Sequence, residues 1–168
     1  LPNRLPVGTN SWATPKLISA TSASGESPKI LDDQSALFAG KVPEHDTYTL
    51  VIETDAPSTD ALRLEALADD RLPAKGPGRI QHGNFVLSEI TVTAAPKANP
   101  SATQPVGLAT AKADIEQDSF PVTHAFDGKP ESGWAIHNGD AALGKSHSAS
   151  FQFDKPVGFP GGTRFTIR

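Results

Sequence analysis

The sequence predicts an all-β protein, an antiparallel β-sandwich of the jelly-roll type. Roughly eight short segments alternate apolar and polar residues, and turn residues separate them. Fifteen prolines and fourteen glycines interrupt the 168 residues. No segment has convincing helical periodicity, and no internal repeat of solenoid or propeller length is present. We therefore expect a single sandwich domain over residues 1–168.

The elements of this sandwich follow one another in a regular order. The predicted strands lie at residues 16–22, 47–54, 61–67, 85–92, 106–113, 148–153 and 163–168. Residues 1–15 predict an extended arm anchored by Trp12. The proline-rich residues 94–104 are expected to connect two halves of the domain over the surface. A single helical turn is predicted to end at Gly128. The last strand reaches Arg168 without a turn signal, so we expect a truncated C-terminus.

The composition argues against several functions. The formal net charge of −4 provides no basic surface for nucleic acid, and no apolar run is long enough to insert into a membrane. Cysteine is absent, which excludes disulfides, thiolate zinc sites and haem attachment through CxxCH, so no haem is expected in this chain. No nucleophile or HExxH motif is present, and we expect no enzymatic activity. A hydrolase using Asp69, Asp70 or Glu89 is a weaker alternative, because nothing fixes the separation of these acids.

The stretch KGPGRIQHGNFVLSEITV, residues 75–92, is the most informative part of the chain. A glycine-rich turn leads directly into an apolar strand, and the turn carries a guanidinium, an imidazole and an amide. Such groups bind the hydroxyls of a sugar, while an aromatic ring packs against its C–H face. We predict a glycan site formed by Arg79, His82, Asn84, Trp134 and His137. The alternative is an ordinary hairpin loop, with Trp134 in the core.

Glu89 is an acidic residue within the apolar part of this stretch. A carboxylate there must be paired, bind a metal or face water. Asp127 lies in a second turn, and both carboxylates are hard oxygen ligands of the kind that calcium prefers. The sequence therefore predicts a structural calcium site that contains Glu89 and Asp127.

The segment AFDGKPESGW, which ends at Trp134, resembles the A-x-D-G-[DN]-x-x-T-x-W signature of discoidin-type domains. These domains are galactose-binding-like jelly rolls, and many are carbohydrate-binding modules. The resemblance implies a structural calcium with Asp127 as a side-chain ligand, Ser132 in place of the family threonine, and Glu89 completing the site. This sequence departs from the family at Lys129, where Asp or Asn is usual. It also places Glu89 before Asp127, the reverse of the family order.

Several longer phrases, among them DTYTLVIET, GPGRIQHGNF and GGTRFTIR, resemble a segment of large secreted planctomycete proteins that carry a planctomycete-type cytochrome c domain. This resemblance implies a secreted, periplasmic or cell-surface location and a multidomain parent with its haem elsewhere. The expected function is a non-catalytic carbohydrate-binding-like module. The alternative is a structural domain that docks against neighbouring cytochrome or enzyme-like domains. That alternative predicts exposed apolar surface and a loop bonded internally with no open cleft.

Overall fold

A computed structural model describes residues 12–168 and shows an almost entirely β protein. The strands are β1 (Lys16–Ser22), β2 (Lys29–Ile30), β3 (Ala36–Leu37), β4 (Tyr48–Thr54), β5 (Thr59–Ala66), β6 (Val86–Leu87), β7 (Val92–Pro96), β8 (Gln104–Val106), β9 (Leu108–Ala113), β10 (Trp134–Ala135), β11 (His147–Val157) and β12 (Thr163–Ile167). Two 3-10 turns lie at Val122–Phe126 and Asp140–Ala142. The first turn is followed by Gly128 with a φ of 77°, as expected for a glycine that ends a helical turn. No helix within residues 12–168 is long and apolar enough to cross a membrane.

The strands form two main antiparallel sheets that pack face to face. One has five strands in the order β1-β4-β12-β7-β8, and the other has three in the order β5-β11-β9. Phe165 of the larger sheet and Phe153 of the smaller one share a buried cluster, with their ring centroids 5.8 Å apart. The prediction of an all-β antiparallel sandwich is confirmed.

Strict alternation in β11 positions the core. Residues of this strand are buried at every second position from His147 to Phe153. Phe151 has no exposed surface and joins a second buried cluster with Val122, Ala125 and Trp134. A fully buried side chain such as Phe151 or Val122 contributes roughly 1.5–3 kcal/mol. The two clusters together fill the space between the sheets.

The strand predicted over residues 85–92 is in fact two strands that belong to different sheets. Val86–Leu87 pairs with β10, whereas Val92 begins β7 beside β12. Between them the main chain crosses from one sheet to the other, held by a hydrogen bond from the Ile90 N–H to the Ala125 carbonyl at 2.7 Å. The sequence FVLSEITV does not reveal this break, because the apolar residues on either side of Ser88 and Glu89 are buried in different sheets.

The predicted connection at 94–104 is a β-hairpin and not a link between two halves. Residues 94–96 complete β7, and the chain turns and returns as β8 at the edge of the five-stranded sheet. Proline is tolerated there because Pro105 lies in an edge strand and Pro96 ends its strand. The halves are interleaved, since β12 lies between β4 and β7.

The predicted N-terminal arm is described only from residue 12 onward; its other residues lie outside the described part. Residues 12–15 have no regular secondary structure. Trp12 is 43% exposed, and the Arg63 guanidinium carbon lies 5.5 Å from its ring centroid. The expected anchor therefore contacts the surface of β5 through a cation–π interaction.

Candidate functional site

The glycines of the 76–84 loop bring it against another part of the main chain. A Cβ atom at Gly76 would lie 1.7 Å from the Leu143 carbonyl oxygen, and one at Gly83 would lie 2.8 Å from the same atom. Gly83 also has a φ of 86°, a conformation that side chains rarely adopt. The close approach that glycine permits is therefore used by the protein's own backbone.

Arg79 is held by three other segments of the chain. Its guanidinium donates to the Tyr48 hydroxyl at 2.6 Å, to the Glu26 carboxylate at 2.5 Å and to the Lys41 carbonyl at 3.0 Å. Only 12% of its side chain is exposed. Burial lowers the pKa of Arg79, but the bonds to Tyr48 and Glu26 outweigh it, so the net pKa is raised. The two terminal nitrogens of the planar fork predicted to read a ligand are occupied by these internal contacts, whereas the buried Nε has no partner.

Tyr48, a hydrogen-bond partner of Arg79, is itself packed against an aromatic ring. Its ring stacks on Phe38, with the centroids 3.8 Å apart. Burial raises the pKa of the Tyr48 hydroxyl, and the hydrogen bond from Arg79 only partly offsets this effect. Sequence analysis did not identify Tyr48 or Glu26 as partners of the loop. They lie 31 and 53 residues from Arg79, so no local pattern links them.

Asn84 uses both ends of its amide inside the protein. Its Oδ1 accepts a hydrogen bond from the Ile136 N–H at 3.1 Å, and its Nδ2 donates to the Gln117 side chain at 2.9 Å. Ile136 has no exposed surface. Asn84 thus ties the end of the loop to the strand region that follows Trp134.

The two predicted histidines lie at the surface. The His82 Nδ1 is 3.4 Å from the Asn84 N–H, which donates to it. The His137 Nε2 is 3.4 Å from the fully exposed carboxylate of Asp140. Both are accessible, but Arg79 and Asn84 are not free to act with them.

Trp134 is part of the core. Its ring has no exposed surface, its Nε1–H donates to the Ile115 carbonyl at 2.8 Å, and the Phe85 ring meets it edge-on at 5.1 Å. A buried indole with a satisfied N–H is a typical core arrangement. The ring offers no face to a sugar, and it occupies the core position that was the alternative interpretation.

The structure brings the three predicted metal ligands together. The Lys129 N–H donates to Glu89 Oε1 and to Asp127 Oδ1, each at 2.9 Å. The Ser132 hydroxyl lies 2.9 and 3.0 Å from the two oxygens of Asp127. Burial raises the pKa of Asp127, but these bonds and the charges of His124 and Lys129 outweigh it, and the net pKa is lowered. The carboxylate is therefore held in its charged form.

These oxygens have the chemistry that calcium requires, but an N–H already lies between the carboxylates. Glu89, Asp127 and Ser132 are the residues that would hold the ion. A main-chain N–H shared by two carboxylates occupies the place where a cation would be attracted. Within residues 12–168 no group of three or more His, Cys, Asp or Glu side chains is arranged to hold a metal. Calcium stays a prediction, and it requires that the ion displace this N–H.

A groove that sequence analysis did not identify lies at the turns after β4 and β11. Its volume is about 530 Å³. Its lining consists of Asp55, Pro57, Gly158, Phe159, Pro160, Gly161 and Gly162. The sequence GFPGG signals a turn here, but nothing local indicates that Asp55 lies opposite it.

We compared the chain with protein-family models, with curated proteins and with solved structures, and none of the three comparisons gave a match.

Proposed function

We propose that this chain is a non-catalytic structural module that packs against a neighbouring domain of a larger exported protein. The observation that supports this proposal is the internal bonding of the 76–84 loop. Arg79 and Asn84, the most versatile binding groups of the loop, contact other segments of the same chain. A loop whose Arg79 terminal nitrogens and Asn84 amide are bonded internally stabilises the sandwich and leaves few groups for a ligand. The exported location follows from the resemblance to secreted multidomain proteins.

The docking surface that we propose consists of Val42, Pro43 and Ile80. Val42 is 44% exposed and Ile80 is 41% exposed, and the three residues line one shallow depression. Ile80 follows Arg79, which fixes three segments of the chain below this surface. An apolar surface that is already rigid binds a partner with little loss of conformational entropy. Its occupant is an apolar side chain of an adjacent protein domain.

Amide hydrogen exchange tests this proposal. We expect the amides of Val42, Ile80 and Gln81 to be better protected in the longer polypeptide than in this chain alone. The double variant Val42→Ser/Ile80→Ser removes that extra protection, whereas the control Ile30→Ser, which is 43% exposed in β2, leaves it intact. Equal exchange rates in the two proteins would reject the docking surface.

Carbohydrate binding, which the sequence predicts, is a second candidate function. The groove at the turns after β4 and β11 favours it, because an exposed carboxylate, Asp55, shares this groove with an aromatic side chain, Phe159. The 76–84 loop offers neither group. It contains no carboxylate, and Trp134, the aromatic ring predicted to act with it, is buried.

A further inference from the structure

The groove between the turn after β4 and the turn between β11 and β12, here called the end groove, has one apolar wall. Pro57, Phe159 and Pro160 form this wall. Phe159 is partly buried against the core cluster that contains Phe165. Its ring is therefore supported from behind, and the groove has the size expected for a small-molecule site of 300–1,000 Å³ or so.

The turn that carries Phe159 is rigid. The Gly162 N–H donates to the Phe159 carbonyl at 3.0 Å, with Pro160 and Gly161 at the centre of the turn. Gly161 has a φ of 81°, as a type II turn requires at this position. Thr163, which has no exposed surface, accepts the Phe159 N–H through Oγ1 at 3.1 Å. The apolar wall is thus formed before any ligand arrives.

Asp55 supplies a polar group to the groove lining, and Lys97 lies beside it. The Lys97 ammonium donates to the Asp55 carboxylate at 2.5 Å, and the Asp55 side chain is 83% exposed. The lysine stem lies directly on Gly162, where an added Cβ would be 2.4 Å from Lys97 Cδ and 2.9 Å from Asp55 Oδ1. Because Gly162 has no side chain, the Asp55 carboxylate, an acceptor, and the Lys97 ammonium, a donor, can lie side by side at the edge of the groove.

This arrangement selects a neutral ligand with adjacent hydroxyls. Each hydroxyl both donates and accepts, so one can donate to Asp55 while its neighbour accepts from Lys97. A charged ligand fits less well, because an anion repels Asp55 and a cation repels Lys97. The C–H face of a sugar ring packs on apolar and aromatic side chains such as Pro57 and Phe159.

We propose that the end groove binds a neutral sugar ring, with Asp55 and Lys97 holding two neighbouring hydroxyls and Phe159 supporting the ring. This inference rests on the second candidate function and assigns it to a place other than the 76–84 loop. The groove is open and Asp55 is largely solvated, so the affinity is weak, with a Kd of about 1 mM for a single sugar.

Nuclear magnetic resonance titration of the whole chain tests the proposal. The probes are the methyl glycosides of glucose, galactose and mannose, each raised to about 50 mM, well above the expected Kd. We expect at least one of them to shift the amide signals of Asp55, Gly158 and Gly162. Asp55→Asn and Lys97→Gln each weaken that binding about threefold to tenfold, because each removes one charge-assisted hydrogen bond at an exposed site.

Matched variants exclude nonspecific effects. Asp118→Asn removes an exposed carboxylate from another turn, and Lys155→Gln removes an exposed lysine outside the groove lining. Neither is expected to change the shifts. Asp55→Asn and Lys97→Gln act at partly or largely exposed side chains, so their folding is checked by an unchanged spectrum elsewhere.

Each remaining outcome decides against the groove. If a sugar binds but shifts only signals of the 76–84 loop, carbohydrate binding is retained and the end groove is rejected. If none of the three glycosides shifts any signal, carbohydrate binding and the end-groove site are both rejected. Binding that Asp55→Asn and Lys97→Gln leave unchanged rejects the roles assigned to these two side chains.

Discussion

Replacing Asn84 by alanine distinguishes a structural loop from a ligand-binding loop. In a ligand site the amide would be free, and its loss would leave stability unchanged. In the structure, Asn84 satisfies the N–H of Ile136, a residue with no exposed surface, and also bonds to Gln117. We therefore expect Asn84→Ala to destabilise the protein.

The expected loss of stability follows from the Ile136 N–H, which loses its acceptor in Asn84→Ala. A buried N–H without an acceptor costs about 1–3 kcal/mol, whereas the Gln117 side chain can turn toward water at little cost. We expect a loss of about 2 kcal/mol in the free energy of unfolding. For a chain of this size such a loss lowers Tm by about 4–8 °C. Asn84→Asp keeps an acceptor for the Ile136 N–H and is expected to lose less.

Urea denaturation with an unchanged m value is the appropriate assay. Gln81→Ala is the matched control, because Gln81 is an exposed amide side chain in the same loop. The control should stay within about 0.5 kcal/mol of the wild-type protein, as surface substitutions usually do. The reasoning is refuted if Asn84→Ala is as stable as Gln81→Ala. If Asn84→Ala were that stable and also lost binding to a sugar, the 76–84 loop would be the ligand site that the sequence predicts.

Three further predictions follow from other contacts. Arg79→Ala leaves the mostly buried Glu26 without its partner and is expected to lower the free energy of unfolding, measured by urea denaturation, by about 3 kcal/mol. Arg79→Lys should recover little of this loss, because one ammonium cannot reproduce the guanidinium fork. A loss below about 0.5 kcal/mol for Arg79→Ala would contradict this expectation. The hydrogen bonds and charge of Arg71 lower the pKa of Asp69 from 3.8 to about 2. The stability that this pair contributes is therefore complete above about pH 4 and is lost as the pH falls through 2. A carboxyl titration followed by nuclear magnetic resonance should show this pKa, and Arg71→Ala should return it toward 3.8. If calcium displaces the main-chain N–H from the two acidic residues of the predicted metal site, it should raise Tm relative to a chelator, and Glu89→Gln should abolish the rise; equal Tm values with calcium and with a chelator would reject the calcium site.

Local patterns predicted the strands with clear alternation and failed where the tertiary structure divides a segment. The strand at β11 and the final strand at β12 were predictable, since their inward-facing residues recur at every second position. Residues 85–92 are predicted as one strand, yet Leu87 pairs with Trp134 and Val92 pairs with Ile167. The destination of each half depends on residues more than forty positions away, which no short window contains.

The same limit applies to the candidate site. Resemblance to a family motif placed Glu89, Asp127 and Ser132 in one predicted metal site, and the structure has them close together. The sequence could not show that a main-chain N–H lies between the two carboxylates. Nor could it show that Arg79 contacts Glu26 and Tyr48, because such contacts depend on how distant turns meet.

The sequence by itself determined the all-β class, because alternation and turn residues act over a few positions. It also determined which side chains carry hydrogen-bonding chemistry. Only the tertiary structure decided which of those side chains remain available. Arg79 and Asn84 are bonded within the protein and little exposed, whereas Asp55, which no local motif distinguishes, pairs with Lys97 and still has a largely exposed side chain in an open groove. The availability of a polar group is set by its neighbours in space, and burial forces those neighbours to satisfy it.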